Sequence, residues 1–415
     1  MTLRTPQLLF ADSWSASMPE FALGDVLKVK HGFAFPGSQF SDDVSLPTVV
    51  TPGNFALGGG FRETKPKTLD GSYPPDFVLA AGDLVVTMTD LSKTGDTLGL
   101  PAKIPSSGTY LHNQRIGLIE VLDPKRIDRD FLHYYLRTDG YRAHILGTAS
   151  GSTVRHTSPS RIESFVATVP TLADQQAIAE VLGALDDKIA TNDRAAAAAR
   201  DLARGLHDRA VSGAPTGTMS SVLTPILGGT PSRADAGLWD GSVPWVSAKD
   251  VTGAAHGVIT DTVEGMSESA AKTKRLKPLP AGSVVLTARG TVGVVARLGI
   301  ASAINQSCYG FVPDQVPPGC LVFVIEDASA QAKAMAHGSV FDTITMRTFD
   351  HVQVPALSDS EWRNAEAVVA PLLALTTQAV VESQRLAAAR DELLPLLISG
   401  KVRVKDVEKT VEGAL

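Results

Sequence analysis

The chain has 415 residues, a formal net charge of −6 and 44% hydrophobic residues, a length that predicts two or three globular domains. No window holds 18 consecutive apolar residues and the N-terminus lacks a charged-then-apolar signal pattern, so we expect a cytoplasmic protein with no membrane partner. The negative charge argues against a protein that coats nucleic acid by charge alone, although local basic loops remain compatible with DNA binding.

The first part of the chain has the pattern of an α+β domain. Residues 1–18 are predicted to form an N-terminal arm. In residues 19–170, short apolar runs are separated by Gly, Pro and Asp, a pattern typical of an irregular, loop-rich sheet. A helix is predicted over 130–146, with Asp128 as its cap. The predicted strands are 26–29, 47–50, 84–87 and 117–121.

A long helix is predicted over 174–209, within a helical spacer of 171–213. Thr171 and Asp174 have capping-box spacing, and Gly213 suits a left-handed stop. Small or apolar side chains recur at heptad-like spacing and form a narrow seam for a partner helix, with Asn192 on it as a register-fixing amide. The simpler interpretation is an ordinary core helix. The seam positions are Ile178, Leu182, Leu185, Ile189, Ala196, Ala199, Ala203, Leu206 and Ala210.

Residues 214–355 repeat the pattern of the first domain. The run 81–87 (AGDLVVT) is matched by 281–287 (AGSVVLT), and each copy later ends in Val-Pro before a long helix. The pairs Asn113-Gln114 and Asn305-Gln306 correspond in the same way, as do Gly151-Ser152 and Gly338-Ser339. The order domain, helix, domain, helix therefore indicates a tandem duplication, unless the duplication only enlarges a scaffold.

The second helix is predicted over 359–398, within a distal spacer of 356–405 that precedes a tail of 406–415. Ser358 and Glu361 form its capping box, and Pro371 is expected to break or kink it. Two helices with apolar seams can pair as an antiparallel coiled coil, which would relate the two domains by a pseudo-twofold axis. Such an arrangement suits a ligand with two sites at a fixed separation, for example duplex DNA with its repeat of about 34 Å.

The order of motifs resembles the specificity (S) subunits of type I restriction-modification systems. The clearest match is 228–233 (GGTPSR) followed by 243–250 (VPWVSAKD), which is similar to the opening of a target-recognition domain. The run 32–36 (GFAFP) resembles the opening of another subtype, and 390–400 (RDELLPLLISG) resembles the distal helical region. The resemblance covers residues 20–405. It departs from the family pattern at 360–363 (SEWR), where the first helix has Gln175-Gln176, and in the alanine-rich central spacer.

This resemblance implies a non-catalytic, DNA-reading subunit used in host defence. Each globular target-recognition domain would read one half of a bipartite sequence in double-stranded DNA, and the helices would set the spacing. Two modification (methyltransferase) subunits, which use S-adenosylmethionine, would dock on the helices, and restriction (motor-nuclease) subunits would join them for cleavage. This chain itself would bind no cofactor. The partner-binding positions implied are Gln175, Gln176, Ile178, Leu182, Leu185, Ile189, Leu372, Leu386 and Leu393.

The residues give no sign of catalysis by the chain itself. The chain lacks a Gly-Lys-Ser/Thr phosphate loop and an HExxH or Cys/His metal spacing. Residues 73–76 (YPPD) reverse the order of the Pro-Pro-Tyr motif of methyltransferases that act on amino groups. Cys308 and Cys320 provide no disulfide framework. The alternatives are a stand-alone bipartite DNA-binding regulator without a methyltransferase and, less compatible with the missing motifs, a fused nuclease or methylase.

Base reading needs polar or basic side chains on loops that can reach groove edges. Asn113 and Asn305 have a structural alternative, in which they satisfy backbone groups at a strand edge. The predicted DNA-binding residues of the first domain are Lys93, Thr94, Asn113, Gln114, Arg115, Ser152, Thr153, Arg155 and His156. Those of the second domain are Thr230, Ser232, Arg233, Lys249, Lys274, Arg275, Arg289, Thr291, Asn305, Gln306 and Arg347, with no metal site.

Overall fold

The computed structural model describes residues 18–63, 66–273, 276–335 and 343–406, without the side chain of Asp240. The chain divides into two compact units. Unit 1 comprises Met1–Asp186 and Ala388–Leu415, and unit 2 comprises Asp187–Ala387. Most of the predicted arm and tail, and the run 338–340 of the predicted repeat, lie outside the described residues.

Unit 1 holds the first globular domain, called domain 1 below, and one end of each long helix. Its strands form a five-stranded sheet (β3-β5-β4-β10-β6), an antiparallel four-stranded sheet (β2-β11-β7-β9) and two strand pairs (β1-β13 and β12-β8). The strands are β1 Glu20–Ala22, β2 Leu27–His31, β3 Phe40–Ser41, β4 Thr48–Val50, β5 Thr68–Leu69, β6 Val78–Leu79, β7 Leu84–Thr87, β8 Thr89–Asp90, β9 Pro101–Lys103, β10 Tyr110–His112, β11 Ile116–Val121, β12 Arg155–His156 and β13 Val166–Thr168. The helices of domain 1 are α1 Arg129–Tyr135, α2 Asp139–Thr148 and α3 Pro159–Glu163.

The helix predicted over 130–146 is wrong in one respect, because the structure divides it into α1 and α2. The predicted cap is present, since Asp128 accepts a hydrogen bond from the Phe131 amide at 2.8 Å. The Thr138 hydroxyl donates to the Tyr135 carbonyl at 2.7 Å, and the Arg137 amide donates to the carbonyl three residues before it. These local bonds replace the helical ladder and start a new helix, with Tyr141 and Ile145 fully buried.

Unit 2 holds the second globular domain, called domain 2. Its sheets are five-stranded (β15-β22-β19-β20-β17) and three-stranded (β18-β16-β21), with the pair β14-β23. The strands are β14 Thr216–Thr218, β15 Ile226–Leu227, β16 Trp239–Val246, β17 Val258–Ile259, β18 Glu264–Met266, β19 Val284–Thr287, β20 Val295–Leu298, β21 Ala303–Ile304, β22 Cys308–Phe311 and β23 Gln353–Pro355. The helices between the two long ones are α5 Met219–Val222, α6 Ala248–Thr252, α7 Glu268–Ala271 and the buried α8 Pro318–Met335.

Both long helices are confirmed, as α4 Leu172–Val211 and α9 Asp359–Ile398. The Ser358 capping box forms in full. At the start of α4 the Thr171 hydroxyl accepts the Asp174 amide and donates to its carboxylate, and Gly213 ends α4 with a φ of 72°. The break expected at Pro371 is wrong, because α9 continues through it. Proline in a helix interior costs about 3 kcal/mol, and burial of Trp362, Val369 and Leu373 on either side of it offsets that cost.

Within unit 2, α4 and α9 pair in opposite directions. Asn192 donates from Nδ2 to Glu382 Oε2 at 3.0 Å, and farther along α4 the Ala196 carbonyl accepts from the Thr376 hydroxyl, which lies earlier in α9. Asn192 is buried on the seam, as predicted. In unit 1 the ends of the same helices are joined by an ion pair between Asp186 and Arg390 at 2.6 Å. The α+β class, the two domains and the antiparallel helix pairing therefore agree with the prediction.

Among the described residues, α9 is long and apolar enough by length and composition to cross a membrane. Core helices of globular proteins pass the same test, so this property is weak support for a membrane span. The buried side chains of α9 are accounted for by protein contacts, since Val369 and Leu373 belong to the core of unit 2 and Leu397 to the core of unit 1.

Both cysteines are expected to be chemically inert in the folded chain. Cys308 and Cys320 are fully buried, and burial raises the pKa of each thiol to about 12. Because only the thiolate is nucleophilic, alkylation by iodoacetamide at pH 8 should be on the order of 10³-fold slower in native protein than in urea-unfolded protein. Mass spectrometry of the labelled cysteines measures both rates. Similar rates in the two states would contradict the burial.

Candidate nucleic-acid interface

The predicted Asn113-Gln114 motif forms a tight turn between β10 and β11. Asn113 is buried, and its Oδ1 accepts the Arg115 amide at 3.0 Å while its carbonyl accepts the Ile116 amide at 2.9 Å. Gly32 lies against this turn so closely that an added Cβ would stand 2.3 Å from the Asn113 carbonyl oxygen. The turn and its glycine neighbour therefore form one packed element.

Domain 2 builds the same element from the corresponding residues. Asn305 Oδ1 accepts the Ser307 amide at 3.0 Å, and the Asn305 carbonyl accepts the Cys308 amide at 3.1 Å. Gly228 takes the place of Gly32, with a Cβ position 2.2 Å from the Ile304 carbonyl oxygen. The duplication is thus visible in individual hydrogen bonds. The structure gives both asparagines the structural role that the sequence left open, while Gln114 and Gln306 are exposed.

Each turn lies beside the segments that follow β7 and β19. In domain 1 the Met88 amide donates to the Arg115 carbonyl at 2.8 Å, and the Met88 carbonyl accepts the Thr157 amide at 3.0 Å. In domain 2 the Ala288 amide donates to the Ser307 carbonyl at 2.7 Å, and its carbonyl accepts the Ile344 amide at 3.0 Å. We call these regions the first edge (residues 88–94, 113–115 and 152–157) and the second edge (288–291, 305–307 and 343–344).

The first edge brings together all the residues predicted to bind DNA in domain 1. Arg155 is half-buried and donates from Nε to the Lys93 carbonyl at 2.9 Å, and His156 Nδ1 lies 3.2 Å from the Thr89 hydroxyl. These contacts link the loop after β8 to β12. The exposed side chains are Lys93, Thr94, Gln114, Arg115, Ser152, Thr153 and His156.

The loop that carries Lys93 and Thr94 is held by residues that the sequence did not single out. Asp90 is buried and accepts the Ser92 amide at 2.6 Å and the Thr97 hydroxyl at 2.7 Å, and Arg142 of α2 donates to the Gly95 carbonyl at 2.9 Å. Burial raises the pKa of Asp90, but the hydrogen bonds from Thr97 and Ser92 outweigh it and bring the pKa below its ordinary value. The Asp-x-Ser spacing, typical of an Asx turn, was the available local signal.

The second edge collects fewer of the predicted residues. Arg289, Thr291 and Gln306 are exposed, and the Thr230 hydroxyl donates to Gln306 Oε1. Lys249 is exposed on α6, which begins just after Val246, whose carbonyl accepts the Asn305 amide at 2.9 Å. Arg347 is exposed on a 3₁₀ helix, Met346–Asp350, that follows the edge in sequence. Lys274 and Arg275 lie outside the described residues.

Arg233 is exposed, and its guanidinium is engaged by other side chains of domain 2. Its guanidinium makes two bonds to Glu264, one of 2.9 Å, and lies 3.6 Å from the ring centroid of Trp239. The neighbouring Ser232 side chain is exposed, and its carbonyl accepts the Trp239 indole N–H at 3.1 Å. We interpret Arg233 as a residue that holds the 232–239 segment in place. The sequence alone did not indicate this role.

The helix residues predicted to bind partners differ in how far their side chains are buried. Gln175 is fully enclosed, with Oε1 accepting the Asp128 amide at 2.9 Å and Nε2 donating to the Arg126 and Pro170 carbonyls. Its side chain is therefore unavailable to a partner. Ile178 and Leu182 are buried and Gln176 is exposed, while the half-buried positions are Leu185, Ile189, Leu372, Leu386 and Leu393. The large exposed apolar residues of the long helices are Leu202, Val368 and Leu375, which the seam argument missed.

Two copies of an α+β domain, each with a glycine-packed polar edge, and two long helices define a duplicated two-module protein. The family model for the type I restriction modification DNA specificity domain matches residues 17–198 and 220–359, most of the chain. The chain belongs to this family of specificity subunits, as its motifs predicted. Specificity subunits are non-catalytic, which agrees with the prediction that the chain is not an enzyme.

Relatives within the family are distant in sequence. The chain is 28% identical over 145 residues to the type I restriction enzyme MjaIX specificity subunit of Methanocaldococcus jannaschii, covering 34% of each protein. It is 24% identical over 181 residues to the HindI specificity subunit of Haemophilus influenzae, covering 43% of this chain and 39% of that one. The aligned segments thus span little more than a third of these relatives' lengths.

A solved structure shares the fold over nearly the whole chain. The crystal structure of the type I restriction-modification system S subunit from M. genitalium superimposes with a TM-score of 0.58, covering 93% of this chain and 97% of that one. Because the two sequences are only 14% identical, this similarity establishes the fold alone.

Proposed function

We propose that this chain recognises a bipartite sequence in double-stranded DNA, with domain 1 reading one half and domain 2 the other. The observation that carries the proposal is the edge built twice from corresponding residues, around Asn113 in one domain and Asn305 in the other. A single reading site would need only one such edge. The family membership favours this function over a regulator that acts without a methyltransferase.

The exposed side chains on the two edges have the chemistry that base reading requires. Arginine can donate two hydrogen bonds to guanine O6 and N7, and glutamine can pair with adenine N6 and N7. Arg115 with Gln114 offers this combination on the first edge, and Arg289 with Gln306 on the second. Lys93 and Lys249 suit phosphate oxygens, which position a protein without specifying sequence. The buried asparagines would hold the glutamines at the surface.

The helices have a separate role in the proposal, which is to set the spacing between the half-sites and to dock partners. Two modification subunits would bind them and supply S-adenosylmethionine, and restriction subunits would join the same complex in the cytoplasm. Each helix has 40 residues, or about 60 Å at 1.5 Å per residue. The exposed Leu202, Val368 and Leu375 offer apolar contacts for such a partner.

Genome-wide mapping of adenine methylation, with and without this gene, tests the proposal. We expect one bipartite motif to lose methylation when the gene is deleted and to regain it on complementation. An unchanged methylation map would exclude this function. Purification distinguishes this function from that of a stand-alone regulator. The proposed subunit should copurify with two copies of a modification subunit, whereas a regulator should bind its DNA without them.

Lengthening both helices should change the gap in the motif and leave its halves intact. We suggest inserting seven residues between Asn192 and Ala196 in α4, and seven between Thr376 and Glu382 in α9, sites bracketed by observed helix contacts. Seven residues add about 10 Å, or about three base pairs, and keep the seam within ~20° of its original face. Methylation mapping measures the new gap. Insertion into α4 alone is the control, since it misaligns the seam and should impair assembly.

A further inference from the structure

We propose that His207, Asp208 and Asp327 form a binding site for a divalent transition-metal ion, with Zn²⁺ as the ion that fits the donor set best. The site lies in unit 2, where α4 contributes the first two residues and α8 the third. Zinc binds both imidazole nitrogen and carboxylate oxygen, and a site with three protein ligands leaves the fourth tetrahedral position to water. The bound ion would fasten the long helix α4 to the core helix of domain 2.

The three side chains already converge. One donor atom from each residue lies within 4.8 Å of the others. Donors of a tetrahedral zinc site stand about 2.1 Å from the ion and therefore about 3.4 Å from each other. Asp208 is exposed, Asp327 is half-buried and His207 is buried. Side-chain rotations that move the two carboxylate groups by about 1 Å would complete the site without moving either helix.

His207 points to a ligand independently of the carboxylates. It is fully buried, and neither ring nitrogen has a hydrogen-bond partner. A buried polar group left in this state costs about 1–3 kcal/mol, so native proteins rarely retain one without a function. The ring lies between Phe323 and Trp362, at 5.3 and 6.5 Å from their centroids, and these contacts fix its orientation.

Arg204 is the group that a metal ion would have to displace. Its Nε lies 2.9 Å from Asp208 and its Nη2 lies 2.5 Å from Asp327, so the guanidinium neutralises both carboxylates. Glu326 stands 3.8 Å from Arg204 Nη1 and offers the arginine another carboxylate after displacement. Occupancy of the site is therefore a competition between the guanidinium and the ion. This competition gives the proposal a test in which one substitution should increase affinity.

Titration calorimetry of ZnCl₂ into the full-length, chelator-stripped protein tests the site. We expect one equivalent to bind, with at least tenfold weaker binding in His207→Gln and in Asp327→Asn. Arg204→Met, which keeps an unbranched side chain and removes the competing charge, should bind at least threefold more tightly than the wild type. His256→Gln is the matched control, because His256 pairs with Asp193 elsewhere in unit 2 and its loss should leave zinc binding unchanged.

Two outcomes would overturn the proposal. One is the absence of stoichiometric zinc binding in both the wild type and Arg204→Met. The other is an equal loss of binding in His256→Gln and His207→Gln, which would place the ion elsewhere. If His207→Gln does not fold, as judged by circular dichroism, the Arg204→Met protein decides alone, and unchanged or weaker binding in it counts against the site. None of these measurements involves DNA, so they are independent of the proposed function.

Discussion

Replacing Gly32 by alanine is expected to destabilise domain 1 by about 2–4 kcal/mol. A Cβ at this position would lie 2.3 to 2.4 Å from three backbone atoms of His112 and Asn113, and backbone atoms cannot rotate away as a side chain can. The turn that carries Gln114 and Arg115 must therefore shift, or β10 must separate from its neighbours. Relief of the overlap by either route removes hydrogen bonds around Asn113.

Hydrogen exchange of peptides that cover β10 and β11 measures this effect within domain 1, where a global unfolding curve would mix the two units. A loss of 2–4 kcal/mol corresponds to about 30- to 1000-fold less protection. Gly37→Ala is the matched control, because the Cβ position of Gly37 has no atom within 4 Å. Gly228→Ala should reproduce the loss in β22 and leave β10 protected. Equal effects of Gly32→Ala and Gly37→Ala would contradict the packed turn.

Charge reversal at Arg115 and at Arg289 is expected to impair different halves of the recognised sequence. Each side chain is exposed on one edge, and removal of a two-bond arginine contact with guanine costs about 1–3 kcal/mol. A glutamate at the same place also repels phosphate, so affinity for duplex DNA should fall at least tenfold. Discrimination should fail only at the half-site that the altered domain reads.

Once the methylated motif is known, binding can be measured on duplexes in which one half-site or the other is scrambled. These measurements separate the effect of the Arg115 substitution from that of the Arg289 substitution. Arg115→Glu should become insensitive to scrambling of one half and Arg289→Glu to scrambling of the other, so each variant serves as the reference for its counterpart. Lys28→Glu makes the same charge change at an exposed position on β2, outside the first edge, and should alter neither half. If both arginine variants lost both halves equally, the assignment of one half-site to each domain would be wrong.

The elements that the sequence predicted best are those whose signals are local. The bounds of α9, its capping box and the stop of α4 at Gly213 depend on residues within a few positions of each other. The strand β7 coincides with its predicted range because four consecutive buried residues leave few alternatives. The duplication was visible because the Asn-Gln turn and the strands β7 and β19 have similar residue types in the two domains.

Two of the predicted binding residues make contacts with residues distant in sequence that the prediction did not include. Arg233 has the composition of a base-reading residue, but Glu264, 31 positions away, occupies its guanidinium. Gln175 has the position of a partner contact, but it is enclosed by backbone groups of residues 126–128 and 170. In both cases a polar side chain suited to an external ligand is satisfied internally, and residue type alone gives no means of telling the two apart.

The bonds of Gln175 bear on how recognition modules could be exchanged between related proteins. All three of its partners are main-chain atoms, so these bonds depend on the path of the backbone at residues 126–128 and 170. The joint also includes side-chain packing, since Ile127 lies in one buried cluster with Ile178 and Leu182 of α4. A foreign domain would have to follow the same path and keep the apolar contacts with Ile178 and Leu182, whereas its exposed loops could differ. Chimeras joined between Pro170 and Gln175 are therefore expected to tolerate wide divergence in the exposed loops, provided that this core is kept.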